Sequence, residues 1–321
     1  MDKIIMNNKE ISKKDSIEPV DKNNNIADNT IINILPTAFR EYISFVNMDG
    51  VEEIRLRVGQ NAILYFGTEK GELVTDYIIN QKDLQEALEY ITGFSLYAYE
   101  DDIREGFITI KGGHRVGIAG KIVREEGKIK TISNISSVNI RVSHQVYGCG
   151  DKLMPYLVNK DKVFNTLIIS PPGAGKTTLL RDVLRQLSDT YMQKVSLVDE
   201  RSEIASCYKG IPQNNVGMRT DVYDCCPKTE GIMLMIRAMS PQVVAVDELG
   251  NELDMKAVEE ATGCGCKVIA TIHGDTVEDI AGKSYMESCI RDKLFKRYVF
   301  IKRGQGRQIE VFDENLCRIS G

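Results

Sequence analysis

The chain has 321 residues, of which 42% are hydrophobic and 27% are charged, so it is long enough and apolar enough for two ordinary globular domains. Its net charge of −5 argues against a protein that coats nucleic acid, which would need a basic face, and we expect no nucleic-acid partner. No run of about 18 apolar residues occurs, and the N-terminus lacks the pattern of a secretory signal, so we expect a cytoplasmic protein without a transmembrane segment.

Residues 1–28 are rich in Asn, Asp, Lys and Ser and carry few apolar residues, which predicts a disordered extension. Between 30 and 46 apolar residues recur at helical spacing, although Pro36 should break or restart that helix. Further patterns follow in chain order: strands at 51–58 and 62–66, helices at 81–91 and 96–103, and strands at 106–111, 115–123, 128–132 and 138–142, with a hairpin turn at Glu125-Glu126-Gly127. Residues 29–147 are therefore predicted to form a small α+β domain.

Residues 148–321 carry strand patterns that are separated by helical ones, which predicts a parallel sheet with crossover helices. The predicted strands are 166–169, 194–198, 243–246, 267–271 and 299–302. This second part of the chain is the larger of the two predicted domains.

An apolar strand in this second domain runs directly into a Gly-rich loop and then into a helical stretch, which is the context that a P-loop requires. The residues predicted to bind the phosphates of ATP are Ser170, Pro171, Pro172, Gly173, Ala174, Gly175, Lys176, Thr177 and Thr178. In such a loop backbone N–H groups converge on the phosphates, Lys176 supplies a positive charge, and Thr177 ligates Mg²⁺. The sequence therefore predicts an α/β, RecA-like P-loop ATPase domain with ATP and Mg²⁺ as cofactors.

The loop departs from the G-x-x-x-x-G-K-[ST] pattern at Ser170, where the first glycine is usual. If that position required a positive φ, serine would cost about 1 kcal/mol and the entry to the loop would be altered. A chance Gly-rich turn is the alternative interpretation of the loop, and the strand and helix on either side argue against it.

Two acidic pairs follow predicted strands. In the first, Asp247 would hold Mg²⁺ through water and Glu248 would orient or deprotonate the attacking water. The alternative pair is Asp199 and Glu200. Either pair alone is weak evidence, because acidic residues at strand ends are often helix caps. Two such pairs beside a P-loop are much stronger evidence for a nucleotide site.

A histidine, His273, and a hydroxyl residue, Thr271, stand at the end of another predicted strand, where they could sense the γ-phosphate. A lone histidine is more often structural. The position at a strand end reverses that preference here and makes His273 a candidate catalytic residue.

Four signatures occur in chain order: the P-loop at 170–178, acidic stretches at 198–205 and 246–250, and Thr-Ile-His-Gly at 271–274. They resemble Walker A, the Asp box, Walker B and the His box of the secretion and pilus-retraction ATPases of type II and type IV systems. Walker B in that family carries Gly-Glu where this chain has Asp247-Glu248. Whether Glu200 or Glu248 positions the hydrolytic water therefore stays open, and we favour Glu248.

The closer resemblance is to the stage III sporulation protein AA family, over about residues 30–315. It also rests on Glu-Ile-Arg-Leu-Arg at 53–57, Gly-Gly-His-Arg-Val-Gly at 112–117, Asn-Ile-Arg-Val at 139–142 and Gly-Met-Arg-Thr-Asp-Val at 217–222. The resemblance implies a mother-cell cytosolic ATPase, peripheral at a membrane complex, that energises a channel between mother cell and forespore. It also implies membrane proteins of that channel as partners and self-assembly into a homo-hexameric ring.

Secretion ATPases present basic residues from the N-terminal domain toward the nucleotide, and Arg115 and Arg141 lie on strands that match that region. A guanidinium near the γ-phosphate would stabilise the charge that develops in the transition state. Each arginine could equally be a solvated residue on a strand face. Arg219 and Arg237 are the reserve candidates.

Three functions compete at this stage. The leading hypothesis is an ATPase motor for a secretion-like channel. A RecA-like nucleic-acid motor would use the same core sheet, but it predicts DNA-stimulated hydrolysis and a basic groove. A non-catalytic scaffold, in which ATP only holds the ring together, is disfavoured by the intact Lys176, Thr177, Asp247 and Glu248.

Overall fold

The computed structural model describes residues 25–67, 71–95, 99–160, 162–302 and 308–319. The chain divides into two compact units, Met1–His144 and Gln145–Gly321. This division falls a few residues before the domain boundary that the sequence placed between 147 and 148. No helix in the described ranges combines the length and the apolar character that crossing a membrane requires.

The N-terminal unit is an antiparallel sheet covered by helices. Its helices are α1 (Asn25–Asn33), α2 (Thr37–Tyr42), α3 (Gln81–Thr92) and α4 (Glu100–Glu105), and its strands are β1 (Val51–Arg57), β2 (Asn61–Phe66), β3 (Glu72–Ile78), β4 (Phe107–Thr109), β5 (Arg115–Glu125) and β6 (Lys128–Arg141). The strand order is β3-β2-β1-β6-β5-β4. Buried residues alternate with more exposed ones along β1 and β2, so one sheet face meets the core that also buries Phe39 of α2 and Leu84 of α3.

Several sequence predictions for this unit are confirmed. Pro36 separates α1 from α2, since it stands directly before the first residue of α2. The hairpin between β5 and β6 turns at Glu126 and Gly127, which have φ values of 49° and 80°, as a tight hairpin of this kind requires.

Other predictions for this unit are corrected. Helix α1 spans Asn25–Asn33, so its first four residues lie inside the predicted extension 1–28, and the burial of Ile31 holds the helix on the core. Residues 1–24 lie outside the described part of the chain. The strands predicted at 128–132 and 138–142 are one strand, β6, because the segment between them stays paired with β5. Helix α4 begins at Glu100, and residues 96–98 of its predicted range are not described.

The C-terminal unit is built on a mixed, mainly parallel sheet. Its strands are β7 (Val158–Asn159), β8 (Lys162–Val163), β9 (Thr166–Ser170), β10 (Val195–Asp199), β11 (Thr220–Asp224), β12 (Val243–Val246), β13 (Lys267–His273), β14 (Arg297–Lys302) and β15 (Gln308–Phe312). Its helices are α5 (Met154–Leu157), α6 (Lys176–Asp189), α7 (Lys228–Met239), α8 (Glu252–Gly263), α9 (Val277–Ala281) and α10 (Glu287–Arg291). The large sheet has the order β11-β10-β12-β13-β9-β14-β15, with only the pair β14 and β15 antiparallel.

Both faces of this sheet are covered, which explains why its central strands are continuous apolar runs in the sequence. Along β9, Ile168 packs into the core on one face while Leu167 and Ile169 pack into the core on the other. The five strands predicted for this domain are all present, each within a few residues of its predicted ends. The order brings the carboxyl ends of β10, β12, β13 and β9 side by side, which is where ligands bind in open parallel sheets.

Candidate functional site

The P-loop follows β9, whose residues are all buried, and leads into α6. Gly173 and Gly175 have φ values of 77° and 83°, a conformation that side-chain-bearing residues rarely adopt. Gly175 is also the N-cap of α6, and a glycine has no side-chain oxygen to cap the first N–H groups of the helix. An anion at this end of α6 would satisfy those donors and the positive end of the helix dipole.

Ser170 does not strain the entry to the loop. It is the last residue of β9, it is buried, and it pairs in register with His273 of β13, so its backbone is extended. Its hydroxyl donates a hydrogen bond to the carbonyl oxygen of Pro171 at 3.1 Å. The cost expected for a serine with positive φ therefore does not arise at this position.

Lys176 carries a buried positive charge that has few partners among the described residues. Its side chain is only 8% exposed, and Nζ lies 3.6 Å from Oδ1 of Asp247. Within the described residues the ammonium group finds no hydrogen-bond partner. A buried ammonium is costly unless it is paired and hydrogen-bonded, so this position suits a phosphate oxygen of a ligand.

The carboxylate of Asp247 is oriented by a neighbouring strand. The Thr271 hydroxyl donates to Oδ1 of Asp247 and accepts from the backbone N–H of Glu248 at 2.8 Å. Thr271 therefore holds the end of β12 in place, and its proposed sensing of the γ-phosphate stays a prediction. Asp247 and Thr177, the second residue of α6, carry the oxygen atoms predicted to bind Mg²⁺.

The two candidate glutamates have different partners. Glu248 accepts a hydrogen bond from Nη1 of Arg201 at 2.6 Å, and its other oxygen lies 3.3 Å from Nε2 of His273. Glu200 instead accepts from Nζ of Lys228, at the start of α7. The structure thus brings Glu248 and His273 together beside Asp247, whereas Glu200 is held by a different helix.

Asp199, the other member of the alternative acidic pair, faces its own loop. Its buried carboxylate accepts hydrogen bonds from the backbone N–H groups of Glu203, Ile204 and Ala205 at 2.9, 2.9 and 2.8 Å. Burial raises the pKa of Asp199 to about 6, although the three N–H donors act in the opposite direction. Asp199 therefore anchors the loop after β10, while a role of the pair Asp199 and Glu200 at the nucleotide stays a prediction.

The same loop is tied to the helix of the P-loop. Nε of Arg181, in α6, donates to the carbonyl oxygen of Ile204 at 2.7 Å, and Nη2 donates to that of Glu203 at 2.8 Å. Burial lowers the pKa of Arg181. Sequence reasoning missed Arg181, Arg201 and Lys228, because their partners lie 22 to 47 residues away along the chain.

Replacing Asp199 with asparagine should remove a pH dependence of stability. Because the pKa of about 6 lies above the ordinary 3.8, the folded chain binds this proton more tightly than the unfolded chain. The stability it contributes is present below about pH 4 and is lost as the pH rises through about 6. In denaturant titrations we expect the free energy of unfolding of the wild type, relative to that of Asp199→Asn, to decrease as the pH rises from about 4 to about 6. A relative stability that rises with pH would show that the N–H donors outweigh burial.

The two arginines predicted to approach the γ-phosphate lie in the N-terminal unit. Arg115 and Arg141 are direct cross-strand partners in β5 and β6, and Arg115 also lies over the ring of Phe107, 4.7 Å from its centroid. Among the reserve candidates, Arg219 donates to the carbonyl oxygen of Ser188, near the end of α6 opposite to the P-loop. Arg237 is exposed on α7.

Solved structures with a similar fold are ATPases. The ATPase DotB of Legionella pneumophila is 15% identical, with a TM-score of 0.58 over 88% of this chain and 82% of that one. The pilus retraction motor PilT, solved with bound ADP, is 14% identical, with a TM-score of 0.59 over 84% of this chain and 81% of that one. At this level of identity the likeness shows the fold, and it confirms the predicted RecA-like α/β domain preceded by a smaller α+β domain.

Sequence comparison is more specific. The family model described as sporulation stage III, protein AA, matches residues 25–319. The stage III sporulation protein AA of Bacillus subtilis (strain 168) is 39% identical over 307 residues, which cover 91% of this chain and 98% of that protein. The chain therefore belongs to the sporulation stage III protein AA family.

Proposed function

We propose that the chain is an ATP-hydrolysing motor of the secretion type, which energises the assembly of a sporulation channel between mother cell and forespore or transport through it. The observation that carries the proposal is Lys176, a buried ammonium group beside Asp247 and at the start of the P-loop helix. A triphosphate would supply the hydrogen-bond acceptors that the described residues do not offer to this group.

The chemistry follows from the positions of the side chains. Lys176 and the N-terminus of α6 would bind the phosphates, while Thr177 and Asp247 would hold Mg²⁺, which would neutralise charge on the phosphate oxygens. Glu248 accepts the proton of the attacking water, and His273 orients its carboxylate. In this scheme Glu200 has no chemical role, because Lys228 holds it.

The biological setting rests on family membership. A member of the sporulation stage III protein AA family is expected to work with membrane proteins of the sporulation channel, as a cytoplasmic protein peripheral to that complex. We also propose a homo-hexameric ring. None of these partners requires the chain itself to enter the membrane.

The proposal is tested by measuring ATP turnover with and without DNA, together with the mass of the particle with and without ATP. We expect ATP turnover to require Mg²⁺ and to be unchanged by DNA. We also expect the particle mass to increase, when ATP is added, to the mass of a ring. Stimulation by DNA would favour a nucleic-acid motor. Binding of ATP without turnover, even in the assembled particle, would favour a scaffold.

A mixing experiment tests whether Arg115 and Arg141 complete the site of a neighbouring subunit. Mixing Lys176→Ala chains with Arg141→Ala chains should restore turnover, because some interfaces then join an intact P-loop to an intact arginine. Specific activity of the wild type should also rise with protein concentration. The matched control mixes Lys176→Ala with Glu248→Gln, whose defects lie in the same site, and it should show no rescue. Full activity of a dilute monomer, with no rescue in the first mixture, would contradict a trans role.

A further inference from the structure

Arg201 is a basic residue beside the site and has no role in the hydrolysis chemistry proposed for it. Its Nη1 lies 2.6 Å from Oε2 of Glu248, although the two residues are 47 positions apart in the chain. The Arg201 side chain is 63% exposed, whereas that of Glu248 is 28% exposed. The guanidinium thus reaches from the solvent side to the residue proposed as the base.

The backbone that carries Arg201 is fixed on the P-loop helix. Asp199 binds three N–H groups of the loop after β10, and Arg181 of α6 binds two of its carbonyl oxygens. These hydrogen bonds hold residues 203–205 of the loop, and all of them are buried or partly buried. The Arg201 side chain is therefore exposed while the loop that carries it is held in place, so a change of partner needs a rotation of the side chain and no movement of this loop.

The contact with Glu248 conflicts with the proposed task of that carboxylate. One of its oxygens accepts from Arg201 and the other lies at hydrogen-bond distance from His273. An attacking water must bind one of these oxygens, and because each oxygen has two lone pairs, the water has to share that oxygen with a protein donor. Arg201 is the donor better able to leave, since His273 is the last residue of the central strand β13.

A phosphate is a suitable new partner for that guanidinium. Arginine binds phosphate through two parallel hydrogen bonds, and the terminal phosphate of a triphosphate carries more charge than a carboxylate. Glu248 follows directly on Asp247, which contacts Lys176, so the partner that Arg201 would leave adjoins the predicted phosphate position.

We propose that Arg201 senses the third phosphate within its own chain: it pairs with Glu248 when that phosphate is absent and binds the phosphate when ATP occupies the site, which releases Glu248 to bind water. This inference rests on the proposed function. It assigns the distinction between ATP and ADP to a single side chain of the loop after β10.

The test compares affinities rather than turnover alone. Dissociation constants for ADP and for a non-hydrolysable ATP analogue are measured with dilute wild type, Arg201→Ala and Arg201→Lys. We expect Arg201→Ala to weaken binding of the analogue about tenfold or more, with ADP affinity nearly unchanged, because only the triphosphate has lost a charged partner. Arg201→Lys should recover part of the difference. Arg291→Ala is the matched control, since Arg291 forms an exposed ion pair with Asp292 elsewhere in the same unit.

The outcomes separate this inference from the proposal on which it rests. If the wild type binds and hydrolyses ATP but Arg201→Ala weakens both nucleotides equally, or neither, the sensing role is wrong and the proposed function stands. If the wild type binds no nucleotide, both proposals fall. Thermal unfolding of each variant checks the fold, and the exposed position of Arg201 leads us to expect no change there.

Discussion

Lys176→Ala is expected to lower ATP turnover by at least about 10²- to 10³-fold while leaving the folded chain as stable as the wild type, or more stable. Turnover falls because the phosphates lose the positive charge that stabilises them in the transition state. Stability does not fall, because the substitution removes a buried ammonium group with no hydrogen-bond partner among the described residues. Steady-state turnover and thermal unfolding without nucleotide measure the two effects.

A matched control for this substitution is Lys267→Ala. Lys267 is exposed at the start of β13, the end opposite to His273, so its removal should change turnover little. Turnover near the wild-type level in Lys176→Ala would overturn the assignment of the P-loop. A large loss of stability in that variant would instead make the contact between Lys176 and Asp247 a structural ion pair.

Glu248→Gln is expected to leave ATP bound but unhydrolysed, with turnover lower by about 10²- to 10⁴-fold. The amide has nearly the shape of the carboxylate and can still accept a hydrogen bond from Arg201, but it cannot take a proton from water. Nucleotide affinity and single-turnover hydrolysis distinguish this loss from a loss of binding.

Glu200→Gln supplies the contrast, because it makes the same chemical change in the other acidic pair. We expect nearly normal turnover together with lower stability, since Lys228 is buried and would lose its charged partner. If Glu200→Gln traps ATP and Glu248→Gln does not, the roles of the two carboxylates are reversed.

The parts of the fold that the sequence predicted well are those in which the signal is local. The strand, the loop and the helix of the P-loop are contiguous, and the central strands of the parallel sheet are continuous apolar runs. Strands β3 and β11 were missed because their sequences lack the apolar-polar alternation of a half-buried strand: β3 exposes Val74 and Ile78, and β11 is mostly polar. The inward face of β3 includes Thr75, whose hydroxyl donates to the carbonyl oxygen of Ala62, and β11 is an edge strand without a fully buried residue.

The choice between Glu200 and Glu248 depends on contacts that no local pattern reveals. Both follow an aspartate at a strand end, so they look equivalent in the sequence. They differ in their contacts: Lys228 binds Glu200, whereas Arg201 and His273 contact Glu248. These contacts arise from the packing of separate elements. Whether Ser170 would be strained depended on a φ value that its pairing with His273 decides.

Thr271 imposes a restriction on evolutionary change that is chemical rather than steric. It is buried in a central strand, where valine has nearly the same shape and would pack as well. Its hydroxyl, however, donates to Asp247 and accepts from the N–H of Glu248, so valine would break both bonds at once. Divergence at this position is therefore expected to favour serine and threonine, whereas the neighbouring buried positions of the strand require only an apolar side chain of suitable volume.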